Sequence, residues 1–323
     1  MAVLGPHGIT LEVPDVAPGV HYYTQAGLKA SVDGNVARFT CHGGKAECIT
    51  LLGGAERKRI HHLALRADPA LFDNVRRQVS AHGGQLVNAP DGFHDDGVWL
   101  QDPHGLLVHL VDAPREIEPV SAEPFEINGP GRIVRKNRSA MLAKAKTGDV
   151  KPLRLGHVLL FTPDVPRSIQ FFTDALGMGL ADRAQDIIAF MCARRESDHH
   201  VVAFAQSPGI GFHHASFLVP TPDDVGRAGR RLTQQGNGGN WGFGRHTIGS
   251  NFFHYIQDPW GSWFEYYSDI DYISDYSQWT PTNYGMEDSL DNWGPELPHD
   301  FVHNYETDVV AFTPPAVSLP RPL

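Results

Sequence analysis

The feature of this 323-residue sequence that most constrains its fold is an internal duplication. Three pairs of segments recur in the same order: residues 9–16 (ITLEVPDV) with 158–165 (VLLFTPDV), residues 60–65 (IHHLAL) with 212–217 (FHHASF), and residues 99–105 (WLQDPHG) with 255–261 (YIQDPWG). The offsets are 149, 152 and 156 residues, so only small insertions separate the two halves. A repeat of this length predicts two similar tandem domains.

A segment rich in proline, glycine and basic residues separates the halves. It covers residues 114–151, includes Gly129-Pro130-Gly131, and shows little sustained apolar periodicity, so we expect a linker there. The sequence then divides into an N-terminal domain (1–113), the linker (114–151), a C-terminal domain (152–270) and a tail (271–323) rich in aromatic residues and proline. We expect the tail to pack against the second half or a neighbouring subunit, with a pocket lid as the alternative.

Within each half, strand and helix signals alternate. Residues 158–161 form a short apolar run typical of a buried strand, and Asp164 can cap a following helix that Gly177 ends. The same order recurs from residue 215 to residue 236. The pattern predicts an α+β fold in which each half contains two units, each a strand, a helix and further strands.

Composition excludes several functional classes. The formal net charge of −10 argues against binding to a nucleic-acid backbone, which needs clustered basic residues. No apolar stretch approaches the roughly 18 residues that span a bilayer, and the first residues do not resemble a signal peptide, so we expect a cytoplasmic protein without a membrane partner. Cys41, Cys48 and Cys192 are too few and too scattered for a disulfide framework, and we expect buried or incidental thiols.

Two histidines and a glutamate of the second half suit a metal centre. Iron(II) oxygenases commonly hold the metal with two imidazoles and one carboxylate, which leaves positions open for substrate and oxygen. His157 opens the first strand of one unit, His214 opens the equivalent strand of the next, and Glu265 follows the turn at residues 258–261. Each residue alone is weak evidence. Their joint placement predicts one metal site, provided that the two units face each other.

The same residues carry a resemblance to a known family. Gly156-His157, Phe212-His213-His214, Gly244-Arg245-His246-Thr247 and the run from Tyr255 to Glu265 look like type I extradiol dioxygenases of the vicinal oxygen chelate superfamily. That group includes the dihydroxybiphenyl and homoprotocatechuate dioxygenases, and the likeness spans about residues 7 to 295.

This resemblance implies a fold, a reaction and a set of partners. It implies two tandem domains, each of two paired βαβββ modules, and cleavage of a catechol-type ring beside its hydroxyls with dioxygen. It further implies iron(II) as the cofactor, with manganese(II) as an alternative, and a homo-oligomer.

The family's functional residues carry over position by position. They fall on His157, His214 and Glu265 as metal ligands, on His200 as the acid–base histidine, and on His246 and Tyr255 as further pocket residues. The neighbouring His199 and His213 are then expected to have structural roles.

Two positions depart from the family's pattern. Gly249 stands where relatives often have Asp or Ser, and Trp241 stands where homoprotocatechuate enzymes carry an arginine that helps to hold a substrate carboxylate. The second departure suggests a preference for catechols without a carboxylate at that wall, although Arg245 could supply the charge.

The first half is an internal control for the metal site. By the repeat offsets, the counterparts of the three ligands are Gly8, His62 and His109, so the first ligand and the carboxylate are both missing. We therefore expect one metal per chain, although His7 lies one position from Gly8 and could in principle substitute.

Two other functions remain open on the sequence alone. A glyoxalase-like isomerase or an epimerase uses related modules and a divalent ion, but typically a different ligand set. A non-catalytic protein that sequesters small molecules would keep the cleft but lose the metal ligands. The presence of all six matched site residues argues against that function.

Overall fold

The structure is a computed structural model that describes residues 3–117, 126–140 and 148–309. Parts of the expected linker (118–125 and 141–147) and the end of the expected tail (310–323) lie outside the described residues. No helix in the described ranges is long and apolar enough to cross a membrane. Cys41, Cys48 and Cys192 are buried free thiols, as the sequence predicted.

The first half forms one mixed sheet with two helices. In chain order its described elements are β1 (Val3–Val13), α1 (Val16–Gln25), β2 (Lys29–Asp33), β3 (Val36–Thr40), β4 (Glu47–Gly53), β5 (Arg59–Ala67), α2 (Phe72–Ala81), β6 (Gln85–Leu86), β7 (Val98–Gln101) and β8 (Leu107–Asp112). The sheet order is β2-β3-β4-β1-β5-β8-β7-β6, with β1 antiparallel to β5 at its centre. Each central strand therefore begins one βαβββ module.

The second half repeats this plan and adds strands at its edges. Its described elements are β9 (Arg154–Thr162), α3 (Val165–Asp174), β10 (Gly179–Ala184), β11 (Ile188–Cys192), β12 (Arg195–Asp198), β13 (Val202–Gln206), β14 (Gly211–Leu218), α4 (Pro222–Gln234), β15 (Asn240–Arg245), β16 (Phe252–Gln257), β17 (Trp263–Ser268), β18 (Tyr272–Asp275) and β19 (Asn283–Tyr284). The main sheet runs β15-β16-β17-β14-β9-β13-β11-β10-β19, and β12 pairs with β18 separately. The predicted α+β fold of paired βαβββ modules is confirmed.

Helix starts follow local capping chemistry. Asp164 accepts a hydrogen bond from the Arg167 backbone N–H at 2.9 Å and starts α3, as predicted. Thr221 caps α4, whose first turn holds Asp223 and Asp224 near the positive end of the helix dipole.

Strand register places the repeat-related positions at equivalent points of the two sheets. In the first half, Ala64 of β5 pairs with Gly8 of β1 and with His109 of β8. In the second half, Ser216 of β14 pairs with His157 of β9 and with Glu265 of β17. These pairs give the triplets Gly8–Ala64–His109 and His157–Ser216–Glu265. The members of the triplets differ by 149, 152 and 156 residues, the offsets found in the sequence. Hydrogen bonding between strands therefore gives the same alignment as the sequence repeat.

A β-bulge explains how two adjacent histidines can meet. Successive side chains of a regular strand point to opposite faces, whereas a bulge inserts an unpaired residue. In β14 the partners pass from Phe212–Leu160 to His214–Leu159, so His213 is the inserted residue, and its ring centroid lies 4.9 Å from that of His214. The equivalent bulge in β5 falls at residue 61.

The tail joins the halves through one buried carboxylate. Glu306 accepts backbone N–H groups of Ile60 and Phe212, each at 2.9 Å, and these two residues are repeat equivalents. Lys58 Nζ lies 2.6 Å from Glu306 Oε1, and both side chains are almost fully buried. One carboxylate thus connects β5, β14 and the tail.

Glu306→Gln should destabilise the protein, because it leaves the Lys58 ammonium buried without its counter-charge. Breaking a buried pair in this way costs about 3–5 kcal/mol. We expect the urea concentration at the midpoint of unfolding to fall accordingly. The control is Glu47→Gln, which removes the partner of Arg38 in a solvent-exposed pair and should cost less than about 1 kcal/mol. Equal effects of the two variants would contradict a special role for Glu306.

Candidate metal centre

Three strands bring the predicted ligands to one point. The Nε2 atom of His157 on β9 lies 3.0 Å from Oε2 of Glu265 on β17, and Nε2 of His214 on β14 lies 3.6 Å from the same oxygen. Among the described residues, these three form the one group of His, Cys, Asp or Glu side chains whose donor atoms lie close enough to share a metal ion. All three side chains are buried, and Glu265 is fully inaccessible to solvent.

Gly156 allows His157 to occupy this place. A Cβ atom added to Gly156 would lie 2.0 Å from the hydroxyl oxygen of Tyr267, so no larger residue fits the bulge there. The Tyr267 ring packs 5.3 Å from the His157 ring, and its hydroxyl donates to Asp198 at 2.9 Å. The glycine that precedes the ligand is therefore required by packing.

The unsatisfied polar atoms at this point fit a divalent cation. His214 Nε2 and Glu265 Oε2 are buried and have no hydrogen-bond partner in the part of the chain that the structure describes. Buried polar atoms without partners are costly, and a cation that accepts lone pairs from both would remove that cost. Burial by itself raises the pKa of the Glu265 carboxyl, but His157, His246 and His214 together outweigh burial and hold that pKa well below its usual range. The carboxylate is thus present as an anion.

His213 orients the ligand beside it. Its Nε2 donates to the Phe301 carbonyl oxygen at 2.7 Å, so its Nδ1 is the acceptor nitrogen of a neutral ring. That Nδ1 lies 2.7 Å from Nδ1 of His214, which must then carry the proton. The lone pair of His214 is consequently on Nε2, which faces Glu265. The sequence predicted a structural role for His213, and the structure gives it this contact in the site.

His200 lies at the wall of the site without being part of the ligand group. Its ring centroid is 4.2 Å from that of His157, and it lines the same pocket as His157 and His214. Burial, followed by the neighbouring His157, lowers the pKa of His200 well below its ordinary value. A neutral imidazole therefore faces the pocket, as an acid–base group requires.

His246 and Tyr255 form the opposite side of the site. His246 Nδ1 bonds the Leu290 carbonyl oxygen, so its Nε2 accepts from the Tyr255 hydroxyl at 3.0 Å. The same Nε2 lies 3.8 Å from Oε1 of Glu265, and Asn251 donates its amide to that oxygen at 3.0 Å. Burial, then Glu265, raises the pKa of Tyr255 well above its ordinary value, which keeps the phenol protonated. Asn251 was not identified from the sequence, where a lone Asn after a glycine and serine gave no signal.

The pocket above the ligands is largely apolar. The empty space here, counted out to the open mouth, is about 550 Å³. Its apolar wall is lined by Leu159, Ile188, Phe190, Ala205, Ile248, Leu290, Phe301 and Val302. No Lys or Arg of the described residues lines it. Three of these side chains belong to the tail, which therefore forms part of the pocket wall.

Neither Trp241 nor Arg245 places a positive charge in the pocket. Trp241 is almost fully buried, stacks on Tyr255 with a centroid distance of 5.5 Å, and donates its indole N–H to Pro295. Arg245 lies 3.0 Å from the carboxylate of Asp269 and packs over Phe252, outside the pocket lining. Arg245 therefore does not supply a charge to the pocket.

The equivalent place in the first half is an aromatic cluster. His109 stacks on Trp99 at 4.0 Å and bonds the Asp96 carbonyl oxygen at 2.8 Å, while His62 packs edge-on against the same Trp99 ring. Burial lowers the pKa of His7 to about 4. The described residues of this half contain no carboxylate placed like Glu265.

Comparison with known proteins places the chain in a family. Residues 154–266 match the family model described as the Glyoxalase/Bleomycin resistance protein/Dioxygenase superfamily. Over 301 residues, covering 92% of this chain and 90% of the relative, the sequence is 38% identical to metapyrocatechase 2 of Cupriavidus necator. The chain belongs to the extradiol dioxygenases of the vicinal oxygen chelate superfamily. The reaction class expected from the sequence, extradiol cleavage of a catechol-type ring, is confirmed by this membership.

Solved structures share the fold of this extradiol dioxygenase. Homoprotocatechuate 2,3-dioxygenase from Arthrobacter globiformis has a TM-score of 0.72 at 20% identity and covers 94% of this chain and 91% of its own. A Mn(II)-bound glyoxalase from Novosphingobium aromaticivorans has a TM-score of 0.71 at 24% identity, with coverages of 100% and 96%. At these identities the likeness establishes the fold alone.

Removing a ligand of this extradiol dioxygenase should remove its metal. We expect His157→Ala and Glu265→Ala to abolish metal retention, because each deletes a donor atom of the one group among the described residues whose side chains lie close enough to share a metal ion. His62→Ala and His109→Ala, at the repeat-equivalent positions, should retain one metal per chain. Elemental analysis after desalting measures this. Two equivalents of metal in the wild type, or a loss in His62→Ala, would contradict the assignment.

His213→Phe should weaken metal binding without removing a ligand, since it deletes the acceptor that fixes the tautomer of His214. Loss of such an orienting partner typically lowers metal affinity about 10–100-fold. A competition titration with a chelator measures the change. The matched control is His61→Phe, because His61 makes the same 2.7 Å Nδ1–Nδ1 contact with His62 in the half that lacks the carboxylate. Equal metal affinity in both variants would show that the contact does not act on the metal.

Proposed function

We propose that this extradiol dioxygenase uses iron(II), held by His157, His214 and Glu265, to open catechols that carry an apolar substituent. The observation that supports this most directly is a buried cluster of two imidazoles and one carboxylate at the base of an apolar pocket, with a further imidazole in its wall. When bound, iron(II) would supply adjacent open positions for two catechol oxygens and dioxygen and would lower the pKa of the bound phenol.

The chain's own residues handle the proton and the orientation of the ring. His200 presents a neutral imidazole to the pocket and can take a proton from a catechol hydroxyl and later return it. Tyr255 remains a protonated phenol whose oxygen also contacts His246, so it can hydrogen-bond a substrate oxygen. His246 holds Tyr255 in place, because its own ring is fixed by the Leu290 carbonyl oxygen.

The pocket wall supports a neutral substrate. A carboxylate buried against Leu159, Phe190 or Phe301 would lose its hydration without gaining a basic partner. Arg245 is paired with Asp269 outside the lining, which removes the alternative considered from the sequence. Burial of an alkyl or aryl substituent against this wall would instead favour binding, by about 25 cal/mol for each Å² of apolar surface removed from water.

The test begins with anaerobic reconstitution of the full-length protein with iron(II), and in parallel with manganese(II). Each form is mixed with monocyclic, biphenyl-type, trihydroxylated and carboxylated catechols, while dioxygen uptake and the absorbance of the ring-opened product are recorded. We expect stoichiometric oxygen uptake with iron(II). Binding without oxygen uptake for every catechol would favour a glyoxalase-like or binding function. Higher activity with manganese(II) would overturn the choice of metal.

The homo-oligomeric assembly and cytoplasmic location expected from the sequence stay predictions. Size-exclusion chromatography with light scattering and cell fractionation test them.

His200→Phe should separate catalysis from metal binding. Because His200 contacts the ligand group but is not part of it, we expect near-stoichiometric metal and retained anaerobic binding of catechol. Turnover should fall by about 10²–10⁴-fold, the usual contribution of a positioned acid–base group. Metal analysis, anaerobic titration and oxygen uptake give the three values. Loss of the metal would make His200 a ligand, and unchanged turnover would remove it from the mechanism.

Substrate selectivity should follow the apolar wall. We expect kcat/KM for alkyl- or aryl-substituted catechols to exceed that for homoprotocatechuate, because the carboxylate of the latter has no basic partner among the described lining residues. Steady-state oxygen uptake over a range of concentrations measures both values. The reverse order would show that a cation reaches the pocket.

A further inference from the structure

A second pair of adjacent histidines is arranged like the pair that holds the metal ligand His214. Nδ1 of His199 lies 3.1 Å from Nδ1 of His200, and the rings are nearly perpendicular, with centroids 5.3 Å apart. On its far side, Nε2 of His199 lies 2.8 Å from Oδ2 of Asp182. All three side chains are buried, His199 completely. A continuous path thus leads from a buried carboxylate to the pocket.

The hydrogen-bonding capacities of these groups determine where the protons lie. A carboxylate only accepts, so His199 Nε2 carries a proton and donates it to Asp182. The Nδ1 of a neutral His199 then has a lone pair and must accept from His200. His200 therefore carries its proton on Nδ1, which leaves Nε2 unprotonated. That atom is the acceptor that a catechol hydroxyl needs.

A neutral His199 is the form that suits this site. A cationic His199 would place a positive charge one ring away from His157, beside a centre whose donor set fits a divalent ion. Like charges in a buried site repel strongly, because the local dielectric is low.

The surrounding backbone fixes Asp182 and His199 in place. The second oxygen of Asp182 accepts the Thr282 backbone N–H at 2.6 Å, and the backbone N–H of His199 donates to Asp271 at 2.7 Å. Gly249 has a φ of +82°, and a Cβ there would lie 3.2 Å from Nδ1 of His199 and 3.4 Å from Cε1 of His200. The glycine that departs from the family's pattern therefore packs directly on this path.

The two histidine pairs differ in what terminates them. His213 ends on the backbone carbonyl of Phe301, whereas His199 ends on the side chain of Asp182. A single substitution can therefore reverse the donor and acceptor roles along the second pair without deleting either imidazole.

We propose that Asp182, acting through His199, is a positioning residue that fixes His200 as the tautomer with an unprotonated Nε2 toward the pocket. The inference rests on the proposed acid–base role of His200 and deepens it. Asp182 neither lines the pocket nor belongs to the candidate ligand group, so it acts only by setting the position of the proton on a neutral ring.

Asp182→Asn reverses the path with little change in shape. The asparagine oxygen can still accept from Thr282, while its amide N–H now faces His199 Nε2 and requires a lone pair there. His199 then carries its proton on Nδ1 and donates it to His200. The Nδ1 atom of His200 must therefore be the unprotonated acceptor. The proton of His200 moves to Nε2, where it blocks acceptance from the substrate. An amide in place of an orienting carboxylate acts on a catalytic histidine in this way in serine proteases, where kcat falls about 10⁴-fold.

The experiment reads the tautomer and the turnover separately. Long-range proton–nitrogen NMR spectra of the full-length chain, labelled with ¹⁵N-histidine and loaded with diamagnetic zinc(II), report which ring nitrogen of each histidine is protonated. Comparison with His200→Phe assigns the His200 signals. Steady-state oxygen uptake by the iron(II) form gives kcat and KM. Asp186→Asn is the matched control, because Asp186 pairs with Arg183 at the exposed surface near the same strand.

We expect wild type and Asp186→Asn to show His200 protonated on Nδ1, and Asp182→Asn to show it protonated on Nε2. In Asp182→Asn, kcat should fall by at least about tenfold and by no more than in His200→Phe, with retained metal and a KM within about twofold of wild type. His199→Phe is a second variant and should also release His200 from the single Nδ1–H form.

Each failure has a distinct signature. His200 protonated on Nε2 in the wild type, or an unchanged tautomer in both Asp182→Asn and His199→Phe, would overturn the inference and leave the proposed function intact. A reversed tautomer with unchanged kcat would overturn its role in turnover. If instead the wild type consumed no dioxygen with any catechol, the proposed function would fail, while the NMR result would still decide whether Asp182 sets the tautomer.

Discussion

The buried carboxylate of Glu265 is the group on which the arrangement of the second half depends. A carboxylate that is wholly removed from water must be paired with positive charge or with many donors, since otherwise its burial would oppose folding. Here the imidazoles of His157 and His214 lie beside the carboxylate, and the amide of Asn251 donates to it. The remaining unsatisfied atoms converge on one point, where a divalent ion would complete the set. The low pKa of the Glu265 carboxyl is consistent with that requirement.

Strand geometry brings these groups together from distant parts of the chain. The central strands β9 and β14 are antiparallel, β17 runs parallel to β14, and the register sets Ser216 between His157 and Glu265. Bulges next to the ligands change the side-chain alternation locally, so that two consecutive histidines can turn toward each other. The bulge at His61 shows that this distortion belongs to the module and occurs in both halves. The halves differ at two of the three ligand positions, which are His157 and Glu265 in one half and Gly8 and His109 in the other.

The tail connects stability to the site. Glu306 ties equivalent backbone positions of β5 and β14 together, five residues after Phe301, whose carbonyl orients His213 and whose ring lines the pocket. Leu290 acts similarly on the other side, where its carbonyl fixes His246 and its side chain lines the pocket. A segment with little regular secondary structure therefore sets two histidine tautomers and part of the substrate wall. The described part of the tail packs against the second half and lines the pocket, whereas a lid function and packing against a neighbouring subunit stay predictions.

The sequence by itself determined the duplication, the α+β module pattern, the family and the positions at which ligands were expected, because each of these depends on local periodicity or on spacing between repeats. The offsets 149, 152 and 156 already contained the register of the central strands. The sequence could not determine what His199, His213 and Asn251 contact, because hydrogen bonds between side chains distant in sequence leave no spacing signal. The roles of Asp182 and Glu306 were hidden for the same reason. The resemblance had already distinguished His200 and His214 from their neighbours, but only the tertiary structure decided how each pair is held, since that depends on a bulge and on the acceptor that another strand or the tail places behind the ring.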